Sequence, residues 1–365
     1  MMDKRNVAII GATGVIGQQF VEVLDKHPWF EISTLAASAR SAGKTYFDAI
    51  KERKYVDLKN ISEENLQKKV VDVNDINPKS LDEEIIFSAL PAENAMEIDP
   101  RFAKHKHVVS TSSAFRYDDD VPILIPDINP DHIEIMKTQE KRGWKGSVSA
   151  IPNCTTDGLV ISLKPIYEKF GVKTLFMTSL QALSGAGEKG VRKDSEYRKI
   201  MIKNVLPFIN KEEEKVQKEV LKILGKCENG KIVNANIDIY ATCTRVQVED
   251  GHTETVFIET EKECSVDDIK DVLKNYVGEP QKLKLPSAPE KPIVVFDDPL
   301  PGKYETFRPQ PRLDAEEFGG MVTFVGRLRK VKDKIGYVLL SHNTKRGGAK
   351  GAVLNAEFLV AKKFI

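Results

Sequence analysis

The chain has 365 residues, 41% of them hydrophobic and 30% charged, the balance of an ordinary globular protein long enough for two domains with real cores. Its formal net charge is +1 and its Lys and Arg residues are dispersed, so neither a nucleic acid nor a membrane surface is expected as partner, and a small molecule is the better expectation. No stretch approaches a membrane span, the first apolar run is too short and glycine-broken for a signal peptide, and Cys154, Cys227, Cys243 and Cys264 form no CxxC pair, so reduced thiols in a cytoplasmic protein are expected.

In chain order, residues 7–10 read as a buried strand, 15–24 as a helix stopped by His27 and Pro28, and 32–36 as a second strand. Strands at 85–89, 108–110 and 123–125 alternate with helices at 92–104 and 131–141. That alternation predicts an α/β domain, a Rossmann-like, doubly wound parallel sheet covered on both faces, over residues 1–152. Residues 153–342 predict a mixed α+β domain with strands at 175–183, 237–248 and 253–261 and helices at 212–224 and 266–276. The charged run 211–222 reads as a solvated helix face for most of its residues, and proline-rich loops fall at 286–292 and 299–311. A final helix at 351–363, apolar at Val353, Leu354, Phe358, Leu359 and Ala361, is expected to pack back on the first domain, so that residues 343–365 complete it.

Between the first strand and its helix stand Gly11, Ala12, Thr13, Gly14, Val15, Ile16 and Gly17. In that context a glycine-rich loop signals dinucleotide binding. Gly11 makes the tight turn, Gly14 admits a pyrophosphate to the helix N-terminus, and Gly17 lets helix and strand pack closely. After the second strand, where an NAD site keeps an acidic residue for the ribose hydroxyls, the chain has Ser38, Arg40 and Ser41. Hydroxyls and a guanidinium suit the 2′-phosphate of NADP, with a plain exposed loop as the alternative.

Cys154 follows Pro152 and Asn153 and opens a helix with apolar Leu159, Val160, Leu163 and Ile166. At that position the helix dipole and unpaired amides are expected to lower the thiol's pKa, and a thiolate attacks acyl groups to leave a thioester that hydride reduces. An inert buried cysteine is the alternative. The histidines His27, His105, His107, His132, His252 and His342 show no metal-ligand spacing, so no metal is expected. His105 and His107 read as surface residues, whereas His252, at a turn between two long strands, reads equally as a turn residue or a catalyst.

Seven motifs, GATGVIGQ from Gly11, SARSAGK from Ser38, SSAFR from Ser112, PNCTT from Pro152, QALSGAG from Gln181, RVQVEDGHTE from Arg245 and SHNTKRGGAKG from Ser341, resemble the aspartate-semialdehyde dehydrogenase family over nearly the full chain. SARSAGK and SHNT are nearer its archaeal and fungal branch, SSAFR nearer the common bacterial form. The resemblance implies an NADP-dependent acylating oxidoreductase that reversibly converts 4-phospho-L-aspartate to L-aspartate 4-semialdehyde and phosphate, in the biosynthesis of lysine, threonine and methionine. It implies that Cys154 forms the acyl-enzyme, that His252 is the acid/base and that Gln181 orients the substrate. Arg245 would clamp the α-carboxylate, Arg116 and Lys215 the phosphate, Glu212 would hold the amino group or orient Lys215, and Asn153 would line the substrate site. Ser184, Gly185 and Asn343 would complete the cofactor site. Residues 153–342 would then be the catalytic and dimerisation domain of a homodimer or homotetramer. The rivals are an acyl-CoA reductase, such as a malonyl-CoA reductase, and an NADP-binding regulatory protein without catalysis; Arg116 and Lys215 speak for phosphate.

Overall fold

The structure is a computed structural model that describes residues 4–297 and 303–365. Six strands, β1 (Arg5–Ile10), β2 (Phe30–Ala37), β3 (Val70–Asp72), β4 (Ile85–Ser88), β5 (His107–Ser110) and β6 (Ser147–Ala150), form a parallel sheet in the order β3-β2-β1-β4-β5-β6. Val7, Ala8, Ile9 and Ile10 are wholly buried, as a central strand covered on both faces requires. The strand order reverses between β1 and β4, and a doubly wound sheet opens a crevice at such a switch point. Helix α1 (Val15–Leu24) starts there, and α2 (Ala92–Ala103) follows β4.

A second, mixed sheet takes β7 (Thr174–Gln181), β10 (Asp238–Arg245), β11 (His252–Glu259), β12 (Ile293–Val295), β13 (Thr323–Val331) and β14 (Lys334–Ser341) in the order β10-β7-β11-β14-β13-β12. A separate hairpin pairs β8 (Lys226–Glu228) with β9 (Lys231–Val233). Helices α3 (Cys154–Phe170), α4 (Glu212–Ile223) and α5 (Val266–Lys274) share one apolar core with this sheet. Side chains alternate along β11: His252, Glu254, Val256 and Ile258 point into the core, while Thr253, Thr255 and Phe257 face outward. On the outward face the rings of Phe176 and Tyr240 stack 4.8 Å apart and remain largely exposed. The last helix, α6 (Ala349–Ala361), returns to the first sheet, where its Val353, Ala356 and Phe358 share a core cluster with Phe20, Val21 and Leu24 of α1.

Register places the chemistry. Arg245 pairs with Gln181 across β10 and β7, and His252 pairs with Ser341 across β11 and β14, so one end of the second sheet gathers these residues. That end meets the N-terminus of α3.

Several expectations are corrected. The strand expected at 123–125 is a single bridge from Ile123 to Ala150, because the Asn129 amide takes the Ile125 N–H and the Ile123 carbonyl that a ladder would use. The helix expected at 131–141 is a run of 3-10 turns over Pro130–Arg142. Strands β13 and β14 escaped notice, since Arg327, Arg329, Lys330 and Lys334 interrupt their apolar alternation. His107 is not a surface residue: it opens β5 with Nδ1 2.9 Å from Ser147 Oγ, and burial pushes its pKa down to about 4. Of the proline-rich loop 299–311, residues 299–302 lie outside the described residues. Among the described residues no helix is long and apolar enough to cross a membrane, and no His, Cys, Asp and Glu cluster could hold a metal ion.

Candidate active site

The glycine loop is held by close approaches that exclude side chains. A Cβ on Gly11, whose φ is +80°, would lie 2.7 Å from the Ala89 carbonyl oxygen, and one on Gly17 would lie 2.1 Å from the Gly11 oxygen. Gly14 caps α1 in extended geometry without a side-chain bond, so the first amides of the helix, at Val15, Ile16 and Gly17, stay free of intrahelical partners. The Thr13 carbonyl accepts from Gln18 Nε2 at 3.1 Å, which steadies the loop. Beyond β2, Ser38 and Arg40 are exposed, whereas Ser41 is buried with its N–H on the Ser38 carbonyl.

A cavity of about 320 Å³ runs from this loop to Cys154, and its walls include Val15, Ile16, Arg116, Asn153, Ser184, Gly185, Lys215 and Asn343. Ser38, Arg40 and Ser41 do not line it. They stand apart at the end of β2, as the far end of a long ligand would need.

Cys154 is the first residue of α3, and Asn153 caps that helix by accepting from the N–H groups of Thr155 at 2.9 Å and Thr156 at 3.4 Å. The sulfur lies 3.3 Å from His252 Nε2. The Ala182 N–H donates to His252 Nδ1 at 3.1 Å, which puts the proton of the neutral ring on Nε2, facing the sulfur. Burial, then Arg245 and His342, hold the imidazole well below its usual pKa. The thiol does not follow the sequence expectation: burial, then the Glu212 carboxylate, push it up to about 12, against the pull of Arg245, Arg116 and Lys215. A helix N-terminus is one favourable influence, and the surrounding protein outweighs it. The resting pair is thus a neutral thiol beside a neutral imidazole.

Gln181 is fully buried, with its Nε2 on Ser179 Oγ at 3.2 Å and its Oε1 without a protein partner. Arg245 donates through Nη1 to the Ala182 carbonyl at 2.6 Å, and its Nε–H has no partner. Gly185 covers both bases of this corner, since a Cβ there would lie 2.6 Å from Arg245 Nη1 and 2.9 Å from His252 Cε1. Asn343 donates to Ser184 Oγ at 2.8 Å and accepts from the Gly251 N–H at 2.9 Å, so it ties the turn before His252 to the cofactor side. Gly347 then passes directly over the nucleophile, where its Cβ would lie 2.8 Å from Cys154 Cα.

The charged run 211–222 is a solvated face for most of its charged residues, as expected, with Lys211, Glu213, Glu214, Lys215 and Lys218 exposed or half-buried, but three others are not. Glu212, Glu219 and Lys222 are buried, on the same helical face as apolar Val216, Val220 and Ile223. Glu212 bridges Asn153 Nδ2 at 2.8 Å and Lys215 Nζ at 3.2 Å. Glu219 takes Arg116 Nη1 at 3.0 Å, while Arg116 Nη2 donates to the carbonyls of Thr111 and Pro152. Lys222 Nζ donates to the carbonyls of Arg116, Asp118 and Val121 at 2.7 to 2.8 Å. Glu219 and Lys222 were missed in the sequence reading; Glu219 stands seven residues, two helical turns, after Glu212 and Lys222 seven after Lys215, which was the available signal.

The arrangement brings the Cys154 thiol and the Arg116 guanidinium to one cavity wall, with the His252 imidazole N–H and the Arg245 guanidinium packed behind Cys154 and Gly185. Residues 6–136 match the family model described as semialdehyde dehydrogenase, NAD binding domain, and residues 163–346 match semialdehyde dehydrogenase, dimerisation domain. An aspartate-semialdehyde dehydrogenase of Methanothermobacter thermautotrophicus is 44% identical over 97% of this chain and 98% of its own. A malonyl CoA reductase (NADP) of Metallosphaera sedula is 36% identical over 98% and 97%. The crystal structure of aspartate semialdehyde dehydrogenase with NADP from Candida albicans superposes with a TM-score of 0.87 at 36% identity, covering 99% of this chain and 100% of that one. With both halves matched and the likeness sustained from end to end, the chain belongs to the semialdehyde dehydrogenase family.

Proposed function

We propose that this protein is an NADP-dependent acylating dehydrogenase that converts 4-phospho-L-aspartate to L-aspartate 4-semialdehyde and phosphate, reversibly, in the biosynthesis of lysine, threonine and methionine. The observation that carries this reading is Cys154 Sγ 3.3 Å from His252 Nε2 in a cavity whose wall also holds Arg116 and Lys215. The names of the relatives in Methanothermobacter and Candida support it.

Cys154 attacks the acyl carbon as a thiolate, and the phosphate leaves toward Arg116 and Lys215. The thiol is neutral at rest, so its proton is given up as the acyl–oxygen bond to phosphate breaks and leaves on the departing phosphate, and the step balances as thiol plus acyl phosphate to thioester plus hydrogen phosphate. NADP, when bound, supplies the hydride chemistry. His252 gives a proton to the thiohemiacetal oxygen, then recovers it as the carbon–sulfur bond breaks and the aldehyde forms. Arg245 clamps the α-carboxylate, Gln181 orients the substrate, with its unpartnered Oε1 open to accept from a substrate N–H or O–H, and Glu212 orients Lys215 and Asn153. The residues fit the cofactor: Gly11, Gly14 and Gly17 leave backbone room, Thr13, Val15 and Ile16 line the approach, Ser184, Gly185 and Asn343 close the inner end, and Ser38, Arg40 and Ser41 face the 2′-phosphate.

Residues 1–152 with 343–365 form the cofactor-binding domain and 153–342 the catalytic and dimerisation domain, a division supported by α6 sharing a core with α1. The uncovered face with Phe176 and Tyr240 is the subunit interface of a homodimer or homotetramer. The four cysteines are free thiols, in keeping with a cytoplasmic setting. A second reading, reduction of an acyl-CoA, draws on the Metallosphaera relative. The test is one assay: purified protein with NADP, phosphate and the semialdehyde, followed by absorbance of reduced nicotinamide. Turnover that requires phosphate is expected. Activity with coenzyme A thioesters alone favours the second reading, and silence with both favours a binding protein.

A further inference from the structure

Glu219 has no place in the chemistry above, yet it is wholly buried and both of its oxygens are engaged. Oε1 accepts from Arg116 Nη1 at 3.0 Å, and Oε2 accepts from the backbone N–H of Asn153 at 2.6 Å. One carboxylate therefore joins the guanidinium assigned to phosphate and the residue that precedes the nucleophile, two segments distant from each other and from α4.

We propose that Glu219 is a positioning residue that holds the anion-binding guanidinium and the nucleophile's helix cap in one fixed relation, an assignment that rests on the phosphate reading of Arg116. The rest of the geometry acts the same way. Both Nη2 hydrogens of Arg116 are spent on the carbonyls of Thr111 and Pro152, so Glu219 fixes the last freedom of the fork and leaves Nε–H without a protein partner. Lys222, one turn further along α4, grips the backbone beneath Arg116 through three carbonyls. Glu212 grips the other side of the cap through Asn153 Nδ2. Side chain, backbone and cap are thus all referred to a single helical face.

Charge makes the idea separable from its rivals. A carboxylate next to an anion pocket repels the anion, so if Arg116 acted only as positive charge, Glu219→Gln would tighten phosphate. If Glu219 acts by position, the same change weakens it. A carboxamide accepts at one atom only and turns an NH2 toward the other donor, so either Arg116 or the Asn153 N–H loses its acceptor.

The experiment measures KM for phosphate, KM for NADP and melting temperature in the wild type and in Glu219→Gln. Protection of Cys154 from iodoacetamide by inorganic phosphate is measured in parallel, which needs no semialdehyde. The expected result is a phosphate KM raised roughly tenfold or more, with the same shift in the protecting concentration and NADP unchanged. Unchanged or tighter phosphate, with or without a lower melting temperature, overturns the proposal. Should the Gln variant fail to fold, Glu219→Asp keeps the charge but shortens the reach, and the same rise in phosphate KM is expected; an unchanged value overturns it. A wild-type enzyme that neither requires phosphate nor is protected by it overturns the functional reading itself, and the two failures are told apart by that control.

Discussion

The two sides of the cleft offer a ligand different kinds of group. On the proposed cofactor side the groups that matter are backbone: Gly11, Gly14 and Gly17 clear space, and the first amides of α1 stand open to an anion. On the proposed substrate side they are charged side chains, Arg116, Glu212, Glu219 and Arg245 buried and Lys215 half-buried, locked to one another or to carbonyls. A backbone site tolerates many sequences around it. A side-chain site of buried charges fails when one partner is removed, because the other is left without compensation.

The contrast can be broken at its strongest point by Cys154→Ala. Reduction should vanish, while NADP binding, followed by fluorescence or calorimetry, should persist because its groups lie across the cleft. Residual turnover of the acyl phosphate would end the covalent mechanism. Next in size is Arg245→Leu, which removes the clamp and leaves the Ala182 carbonyl without its donor. A fall in kcat/KM of roughly a hundredfold or more is expected, with Arg245→Lys only partly restoring it, since an ammonium cannot replace a planar fork. Near-normal kinetics in the Leu variant would place the carboxylate elsewhere.

The cofactor side has a buried carboxyl of its own, and it sharpens the comparison. Asp99 in α2 accepts from Ser88 and Ser110, at the ends of β4 and β5, at 2.7 Å each, and burial pushes its pKa up to about 6. Below the unfolded value near 3.8 both states carry the proton and nothing is gained or lost. As pH rises through the window from about 4 to about 6 the unfolded chain ionises first, so this group costs stability progressively, to a limit on the order of 2 to 3 kcal/mol. Asp99→Asn should remove that slope. Parallel melting curves for variant and wild type across the window would sink the assignment. The smallest effect is expected at exposed Arg40: Arg40→Ala should weaken NADP about tenfold and NAD hardly at all. Equal loss for both cofactors would remove the 2′-phosphate role.

Legibility in the sequence followed the same division. The glycine loop carries its message in consecutive residues from Gly11 to Gly17, and the setting of Cys154 is equally local, so both were readable. Arg116 and Glu219 meet across 103 positions, and nothing near either one announces the other. The run 211–222 was legible as a solvated face for most of its charged residues, and its buried exceptions show only in helical phase. In phase, Glu212, Glu219 and Lys222 share the buried stripe with Val216, Val220 and Ile223. The pKa of Cys154 was misjudged for a related reason: its helix end is visible in sequence, whereas its burial and the nearby Glu212 exist only in the fold.

Gly347 lies against Cys154, although the bulk of the second sheet is translated between them. During synthesis the thiol therefore emerges well before the loop that covers it. A chain interrupted between the two residues can present the cysteine but cannot assemble the pocket over it. The place of one glycine thus ties the pocket to the whole second sheet: the cover over the nucleophilic position closes only after every strand between the two residues has been made.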